Sequence, residues 1–352
     1  MNIGFVIFSM DSGGAERVIS ILANKFVEKN HQVSICCFSD AESSFDLNES
    51  INLVPFNAAN RINKYPIFSF LVRLGHLYRY IKDHDIDTIV SFTSTMNLYS
   101  IMINLILNKK LIISERDDPV NNKIGSLKVF ARKILYKRVD YLVVQNKKQF
   151  EYFQTWVPSK KLQIIYNPVI INANHSKRDQ VRLVALGRLT PKKNHKALIR
   201  SFLKSDIDSE LIVIGDGEIN EELQQFTSSL DAEKRVIFMG YQKNVNNHLF
   251  LEDIYVSTST YEGFPNSLLE SMNAGLACIH YNCPSGMDEI IEDGHNGFLV
   301  ELHDEDDFAK KIRLLYEDQK LRRKFSKNAQ RKVKEFDAEI ISNRWLQLIK
   351  NI

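Results

Sequence analysis

Short apolar runs rich in β-branched residues alternate with longer stretches of helical period along this chain, and the alternation runs through twice. The first series of candidate strands falls at 3–9, 33–38, 86–92, 111–114, 140–145 and 162–166. The second falls at 182–186, 210–215, 235–239, 254–258, 277–281 and 298–300. Several of these runs are apolar throughout, as parallel strands covered on both faces must be. Between the first two, Ala15, Val18, Ile19, Leu22, Ala23 and Phe26 recur at helical spacing and form one apolar stripe. Strand–helix alternation of this kind predicts an α/β chain of parallel, doubly wound sheets, and its repetition predicts two such domains.

The boundary is expected at Tyr166-Asn167-Pro168-Val169, after which 172–180 is polar and aperiodic. The reading is an N-terminal domain over 1–168, a linker over 169–180, a second domain over 181–336, and a final helix over 337–352. Ile341, Trp345, Leu348 and Ile352 share one stripe of that helix. A chain of 352 residues, 44% of them hydrophobic, can fill two cores. Residues 1–170 hold 21 Lys+Arg against 15 Asp+Glu, a net of +6, whereas 171–352 hold 25 against 28, a net of −3. Halves of opposite sign point to different partners. Cys36, Cys37, Cys278 and Cys283 have neither disulfide-framework nor zinc spacing and are expected reduced, in the cytoplasm. An N-terminus without a basic start is not expected to be a secretory leader. The longest apolar stretch, Met96–Leu107, falls short of the ~20 residues of a membrane span.

Three strand-to-helix turns carry the polar chemistry. The first reads Asp11-Ser12-Gly13-Gly14-Ala15-Glu16. Gly13 and Gly14 let a ligand approach the backbone, and the helix that follows offers unpaired N–H groups to an anion; a tight turn that merely needs glycine reads equally well. The pattern is not GxGxxG, so a dinucleotide fingerprint is absent. In the second half, Gly187-Arg188-Leu189-Thr190-Pro191-Lys192-Lys193 places Arg188 and Lys193 past the carboxyl end of a strand, where two cations can neutralise a diphosphate. Lys192 reads as an ordinary surface lysine. The third turn is Glu262-Gly263-Phe264-Pro265-Asn266-Ser267-Leu268-Leu269-Glu270. Pro265 suits the first turn of a helix, Leu268, Leu269 and Met272 its buried face, and the amides of Asn266, Ser267 and Leu268 a phosphate. Glu270 is placed to hold a vicinal diol, and Glu262 to meet a sugar or its developing positive charge.

Taken together, these turns resemble the family-4 retaining glycosyltransferases of GT-B fold. The match covers the GGAE turn at 13–16, the GRL…K segment at 187–193, and 262–270 as the family's E-x7-E. It also covers Val213-Ile214-Gly215-Asp216-Gly217-Glu218 and Phe238-Met239-Gly240-Tyr241, in the family's order over nearly the whole chain. The resemblance implies two Rossmann-like domains facing a central cleft, the first binding acceptor and the second binding a nucleotide-sugar, with the final helix crossing back onto the first. It implies that Gly13, Gly14 and Gly187 approach the donor and that Arg188 and Lys193 bind its phosphates. Tyr241 would lie by the base, Glu262 by the donor sugar with Gly263, Phe264, Asn266, Ser267 and Leu268, and Glu270 by the ribose. The donor is then a UDP-sugar carrying a hexose or N-acetylhexosamine, transferred with retention and without a metal or other cofactor. The nearest relatives in this class build bacterial surface polysaccharide, of the lipopolysaccharide O-antigen or capsule kind, on polyprenyl-diphosphate-linked acceptors. Many relatives carry a histidine after Ser-Glu, beside the reaction centre. Here Arg116 stands in that place, followed by Asp117 and Asp118. Arginine cannot act as a base, which leaves Asp117 or Asp118 to orient an acceptor hydroxyl, or to cap a turn before Pro119.

Two basic amphipathic stretches suggest peripheral attachment to the inner face of the plasma membrane. One is 124–138, with Leu127, Phe130, Ala131, Ile134 and Leu135 on a stripe and Lys128, Arg132, Lys133, Lys137 and Arg138 outside it. The other is 65–82, with Phe68, Leu71, Tyr78 and others beside Arg73 and Arg79. No nucleic-acid motif accompanies these charges. Asp85-Ile86-Asp87 formally matches a D-x-D metal motif but precedes a strand and reads as a solvated turn. Asp304–Asp307 reads as a helix N-terminus, and His248, His280 and His295 lack partners at ligand spacing. The competing readings are a UDP-sugar epimerase of GT-B fold and a non-catalytic nucleotide-sugar-binding subunit.

Overall fold

The computed structural model describes residues 1–11, 13–39, 42–56, 66–122, 125–171, 176, 178 and 180–352. The chain divides into two compact units, Met1–Pro168 together with Ala338–Ile352, and Val169–Asp337.

Unit 1 opens with β1 (Asn2–Ile7), α1 (Gly14–Glu28), β2 (Gln32–Cys37), β3 (Asn52–Val54), α2 (Pro66–Asp83), β4 (Thr88–Phe92) and α3 (Ser94–Leu107). It continues with β5 (Lys110–Ser114), α4 (Ser126–Leu135), β6 (Tyr141–Val144), α5 (Lys147–Gln154) and β7 (Leu162–Ile164). The strands lie in the order β3-β2-β1-β4-β5-β6-β7, with every pair parallel. The apolar strand runs follow from this: Ile3, Phe5 and Ile7 of β1 enter one core while Val6 enters the other. The first core packs α1 against the sheet through Leu22 and Phe26; the second packs Leu77, Ile81 and Ile101 of α2 and α3 against it. The expected strands all form, most of them a residue or two shorter at their ends. The strand missing from the sequence reading is β3, three residues at a sheet edge, too short to show a period.

Unit 2 comprises β8 (Leu183–Leu186), α6 (His195–Ser205), β9 (Leu211–Ile214), α7 (Asn220–Ser228), β10 (Val236–Phe238) and β11 (Ile254–Ser257). After these come α8 (Asn266–Asn273), β12 (Ala277–Tyr281), β13 (Phe298–Val300), α9 (Glu305–Glu317) and α10 (Gln319–Lys332). Its parallel sheet runs β10-β9-β8-β11-β12-β13. The segment read as a linker is tied down at several points. Val169 bridges to Asp337 and donates its amide to the Phe336 carbonyl at 2.8 Å, and the Ser176 carbonyl accepts from the Leu251 amide at 3.0 Å. Residues 172–175, 177 and 179 lie outside the described residues. The last helix, α11 (Ala338–Lys350), belongs to unit 1, where Ile341, Trp345, Leu348 and Ile349 complete the core of α1.

Both stretches read as amphipathic are helical, but their faces differ from a simple amphipathic scheme. In α4 the large apolar residues Leu127, Phe130 and Ile134 are exposed, and the buried residue is Arg132, contrary to its expected place on the solvated face. Arg132 enters because its guanidinium meets the Glu115 carboxylate at 3.5 Å and the Tyr136 and Phe153 rings at 5.4 and 5.1 Å. Residue 124 at the start of this stretch, and Tyr65 at the start of the other, lie outside the described residues. In α2, Leu77, Tyr80 and Ile81 are buried while Phe68, Leu71 and Tyr78 are exposed.

Candidate active site

In unit 2 the chain leaves β8, builds outward through β9 and β10, and returns to β11 on the other side of β8. Strand order reverses there, and open α/β sheets bind ligands beyond the carboxyl ends of strands at such a point. The loops that leave β8 and β11 carry Arg188, Lys193 and Glu262.

Glycine fixes the shape of this edge. A Cβ on Gly215 (φ +142°) would lie 2.0 Å from the Gly187 carbonyl oxygen, and one on Gly217 would lie 2.3 Å from the Leu189 carbonyl oxygen. Two backbone turns therefore lie in direct contact. The Gly187 amide donates to Ile214 at 3.0 Å, the Leu189 amide to Asp216 at 2.9 Å, and the Gly215 amide to Gly240 at 2.9 Å. From the other side, the Thr258 hydroxyl donates to the Asn194 carbonyl at 2.9 Å and the Thr260 amide to the Lys192 carbonyl at 2.9 Å. Turns far apart in sequence thus become one surface.

On that surface Lys193 Nζ lies 2.5 Å from Glu262 Oε1. The lysine end would sit 3.3–3.4 Å from a Cβ on Gly187, so the bare backbone gives it room. The Glu262 amide donates to Ser285 Oγ at 2.6 Å. Burial pushes the Glu262 carboxyl up, but the charge and hydrogen bond of Lys193, with Lys192 and the Ser259 hydroxyl, outweigh it and leave it below the usual carboxylate range. Two buried histidines feel this pair. His195, at the start of α6, and His280, near the end of β12, are each lowered to about 4, by burial first. Lys193 lowers both further and Glu262 opposes, and the Tyr281 carbonyl, 2.7 Å from His280 Nδ1, also raises His280. His195 and Ser285 were not singled out from the sequence; Ser285 is 23 residues from Glu262, and no spacing links them.

The remaining residues of unit 2 are placed as follows. Arg188 is exposed and forms no ion pair among the described residues. Tyr241 is exposed beside Gly240 (φ +66°). Leu268, Leu269 and Met272 are buried, as expected. Pro265 caps α8 instead of entering its first turn, because the helix starts at Asn266. Of the three amides expected to face a phosphate, Asn266 already donates to Phe264 and Leu268 to Pro265, both at 3.1 Å. Ser267 Oγ pairs with the Tyr255 hydroxyl at 3.0 Å. Gly263, Phe264 and Glu270 are buried, with the Phe264 ring 6.0 Å from that of Phe336.

In unit 1, Gly13 is the extended N-cap of α1 and Gly14 its first residue; Ser12 lies outside the described residues. A Cβ on Gly13 would fall 1.9 Å from a Glu16 carboxylate oxygen, so the helix's own acid folds back over its N-terminus. Arg116 is buried. Its guanidinium lies 3.8 Å from the Phe92 ring centre, and Nη1 donates to Asn167 Oδ1 at 2.5 Å. Burial lowers its pKa to about 9, against the pull of Glu115. Glu115 itself accepts from Ser94 at 2.8 Å and from Tyr136. Asp118 caps a turn, accepting from the Val120 and Asn121 amides at 2.8 and 2.9 Å, while Asp117 is exposed. Thr93, at the end of β4, has φ +76°, a strained value for a β-branched residue that nothing in its sequence neighbourhood signals. Among the described residues no group of three or more His, Cys, Asp or Glu could hold a metal, and Asp87 of the D-x-D accepts the Asn2 amide at 2.9 Å.

Paired turns at a strand-order reversal, with a lysine–carboxylate pair and an exposed arginine, lie where open α/β sheets bind ligands, and comparison with known proteins identifies the class. Residues 168–332 match the family described as Glycosyl transferases group 1, and residues 12–172 match Glycosyltransferase Family 4. The chain belongs to the glycosyltransferases built from these two domains. It is 28% identical to the Campylobacter jejuni GalNAc-alpha-(1->4)-GalNAc-alpha-(1->3)-diNAcBac-PP-undecaprenol alpha-1,4-N-acetyl-D-galactosaminyltransferase, over 100% of this chain and 99% of that one. With the Erwinia amylovora amylovoran biosynthesis glycosyltransferase AmsD it shares 24% identity over 96% of each chain. Anabaena HepE, solved with UDP, superposes with a TM-score of 0.84 at 19% identity over 100% of both chains. Sucrose-phosphate synthase from Thermosynechococcus elongatus gives 0.88 at 14% identity over 99% of this chain and 98% of that one. The fold is the two-domain GT-B one.

Proposed function

We propose that this glycosyltransferase moves a hexose or N-acetylhexosamine from a UDP-sugar, with retention and without a metal, onto a polyprenyl-diphosphate-linked glycan during bacterial surface polysaccharide assembly. The observation that carries the proposal is the part-buried Lys193–Glu262 pair at the strand-order reversal, with the exposed Arg188 in the same turn as Lys193. The relatives support the rest: the Campylobacter protein is named for an undecaprenol-diphosphate acceptor and an α-linkage, and Anabaena HepE was solved with UDP.

In this reading Arg188 and Lys193 bind the donor diphosphate and stabilise the charge that builds as it departs. Gly13, Gly14 and Gly187 let the backbone approach the donor, Tyr241 lies by the base, and Glu270 holds the ribose. Gly263, Phe264, Asn266, Ser267 and Leu268 line the sugar. Glu262, kept ionised by Lys193, faces the positive charge that develops on that sugar. The acceptor hydroxyl attacks the face the diphosphate leaves, and the leaving phosphate oxygen takes its proton, so no protein base is required. Arg116, Asp117 and Asp118 belong to the acceptor side, with Arg116 a fixed cation and Asp117 the exposed carboxylate. The chain works in the cytoplasm, held to the inner face of the plasma membrane by α4, whose exposed Leu127, Phe130 and Ile134 stand among Lys128, Lys133, Lys137 and Arg138. Among the described residues no helix is long and apolar enough to cross a membrane.

The test is nucleotide release from a panel of UDP- and GDP-sugars with bacterial lipid extract and EDTA present. UDP release from one sugar, dependent on lipid, is expected. UDP binding without release from any donor would overturn the proposal in favour of a non-catalytic binding subunit.

A further inference from the structure

Residues 319–334 hold eight Lys+Arg and no Asp or Glu, inside a half of the chain whose net charge is −3. Most of this segment is α10. Lys320, Lys324, Lys327, Arg331 and Lys334 follow one another at steps of four, three, four and three, so all five fall on one stripe of the helix and its last turn. All five are exposed, and none forms an ion pair among the described residues. The basic residues off the stripe are answered: Arg322 and Arg323 by Glu252, and Lys332 by Glu335. The neighbouring α9 pairs its charges as well, Glu305 with Arg200, Asp306 with Lys204 and Arg313 with Asp206.

Like charges at this spacing repel, and α10 places its first cation, Lys320, in a first turn that holds no acid. The helix therefore carries these residues against its own stability. The fourteen residue steps from Lys320 to Lys334 span about 20 Å, one continuous row along the helix and its last turn. Its aromatic residues, Phe325 and Phe336, are buried, so the stripe has no platform on which bases would stack, and no large apolar side chain of the helix is exposed to enter hydrocarbon. What the row fits is a flat, anionic surface held by charge alone.

We propose that this stripe of unit 2 is a docking surface for the anionic headgroups of a lipid bilayer. The choice of lipid over other polyanions rests on the lipid-linked acceptor proposed above. The test keeps the two apart by using vesicles that contain neither acceptor nor donor. The full chain is sedimented with vesicles of phosphatidylcholine and phosphatidylglycerol, or of phosphatidylcholine alone, beside a duplex RNA. Replacing Lys320, Lys324, Lys327 and Arg331 by Gln is expected to lower partition onto the anionic vesicles more than tenfold, leaving phosphatidylcholine binding and UDP affinity unchanged. Lys324→Gln alone, at an exposed site that cannot compromise folding, is expected to lower it about fivefold. Undiminished partition of these variants would overturn the proposal, as would tighter binding of the parent chain to duplex RNA than to anionic vesicles. A parent chain that docks on anionic vesicles but releases no UDP from any donor in the lipid-extract assay would instead count against the transferase reading alone.

Discussion

Lys193 is paired with Glu262, whereas Arg188, from the same turn, is exposed. On the proposed function the two cations carry different burdens: Arg188 meets the diphosphate, and Lys193 also lowers the Glu262 carboxyl. Replacing either by Gln is expected to reduce turnover by about 10²–10³, the usual loss for one preorganised stabilising group, measured as kcat for UDP release. Lys193→Gln should in addition let burial raise the Glu262 carboxyl, moving the acid limb of the pH–rate profile upward, and Arg188→Gln should not. His195 and His280 give a second titration. Each falls from 6.5 to about 4 on folding, so between those values the unfolded chain binds more protons and stability rises with pH. Urea midpoints are expected to drop steadily from pH 6.5 to pH 4, and the His195→Gln, His280→Gln double variant to drop less. Arg188, Lys193 and Glu262 were legible because each sits in a short motif after a strand. Their partners were not: Ser285 and the histidines reach Glu262 and Lys193 only through the fold.

At the scale of elements, the turns after β8 and β9 are held as one piece by the contact of Gly215 with the Gly187 carbonyl. Gly215→Ala places a methyl 2.0 Å from that oxygen in a backbone of φ +142°. The variant is expected to keep native circular dichroism while losing UDP affinity by about tenfold or more, measured calorimetrically. Unchanged affinity would mean that the two turns adjust independently. Apolar runs identified nearly every strand because the central strands, such as β1, β4, β8 and β11, are covered on both faces. The orientation of α4 was hidden for the converse reason: its period gave an apolar stripe, but the face that turns inward carries Arg132, held by Glu115 and the Tyr136 and Phe153 rings.

For the whole molecule, the two-domain reading came from counting strand–helix series, and the return of the last helix from a resemblance. The physical tie is Trp345, fully buried in unit 1, with its ring 5.7 Å from Phe92 and 5.8 Å from the Arg116 guanidinium. Trp345→Ala is expected to destabilise unit 1 by about 3–5 kcal/mol, read as a lower urea midpoint. The assignment of α11 to unit 1 also means that unit 2 is inserted within unit 1. During synthesis, every residue of unit 2 is made before the final residues of unit 1 are translated. The first domain begun is thus the last one finished, and a chain cut near residue 337 would hold a complete second domain attached to a first with its core open.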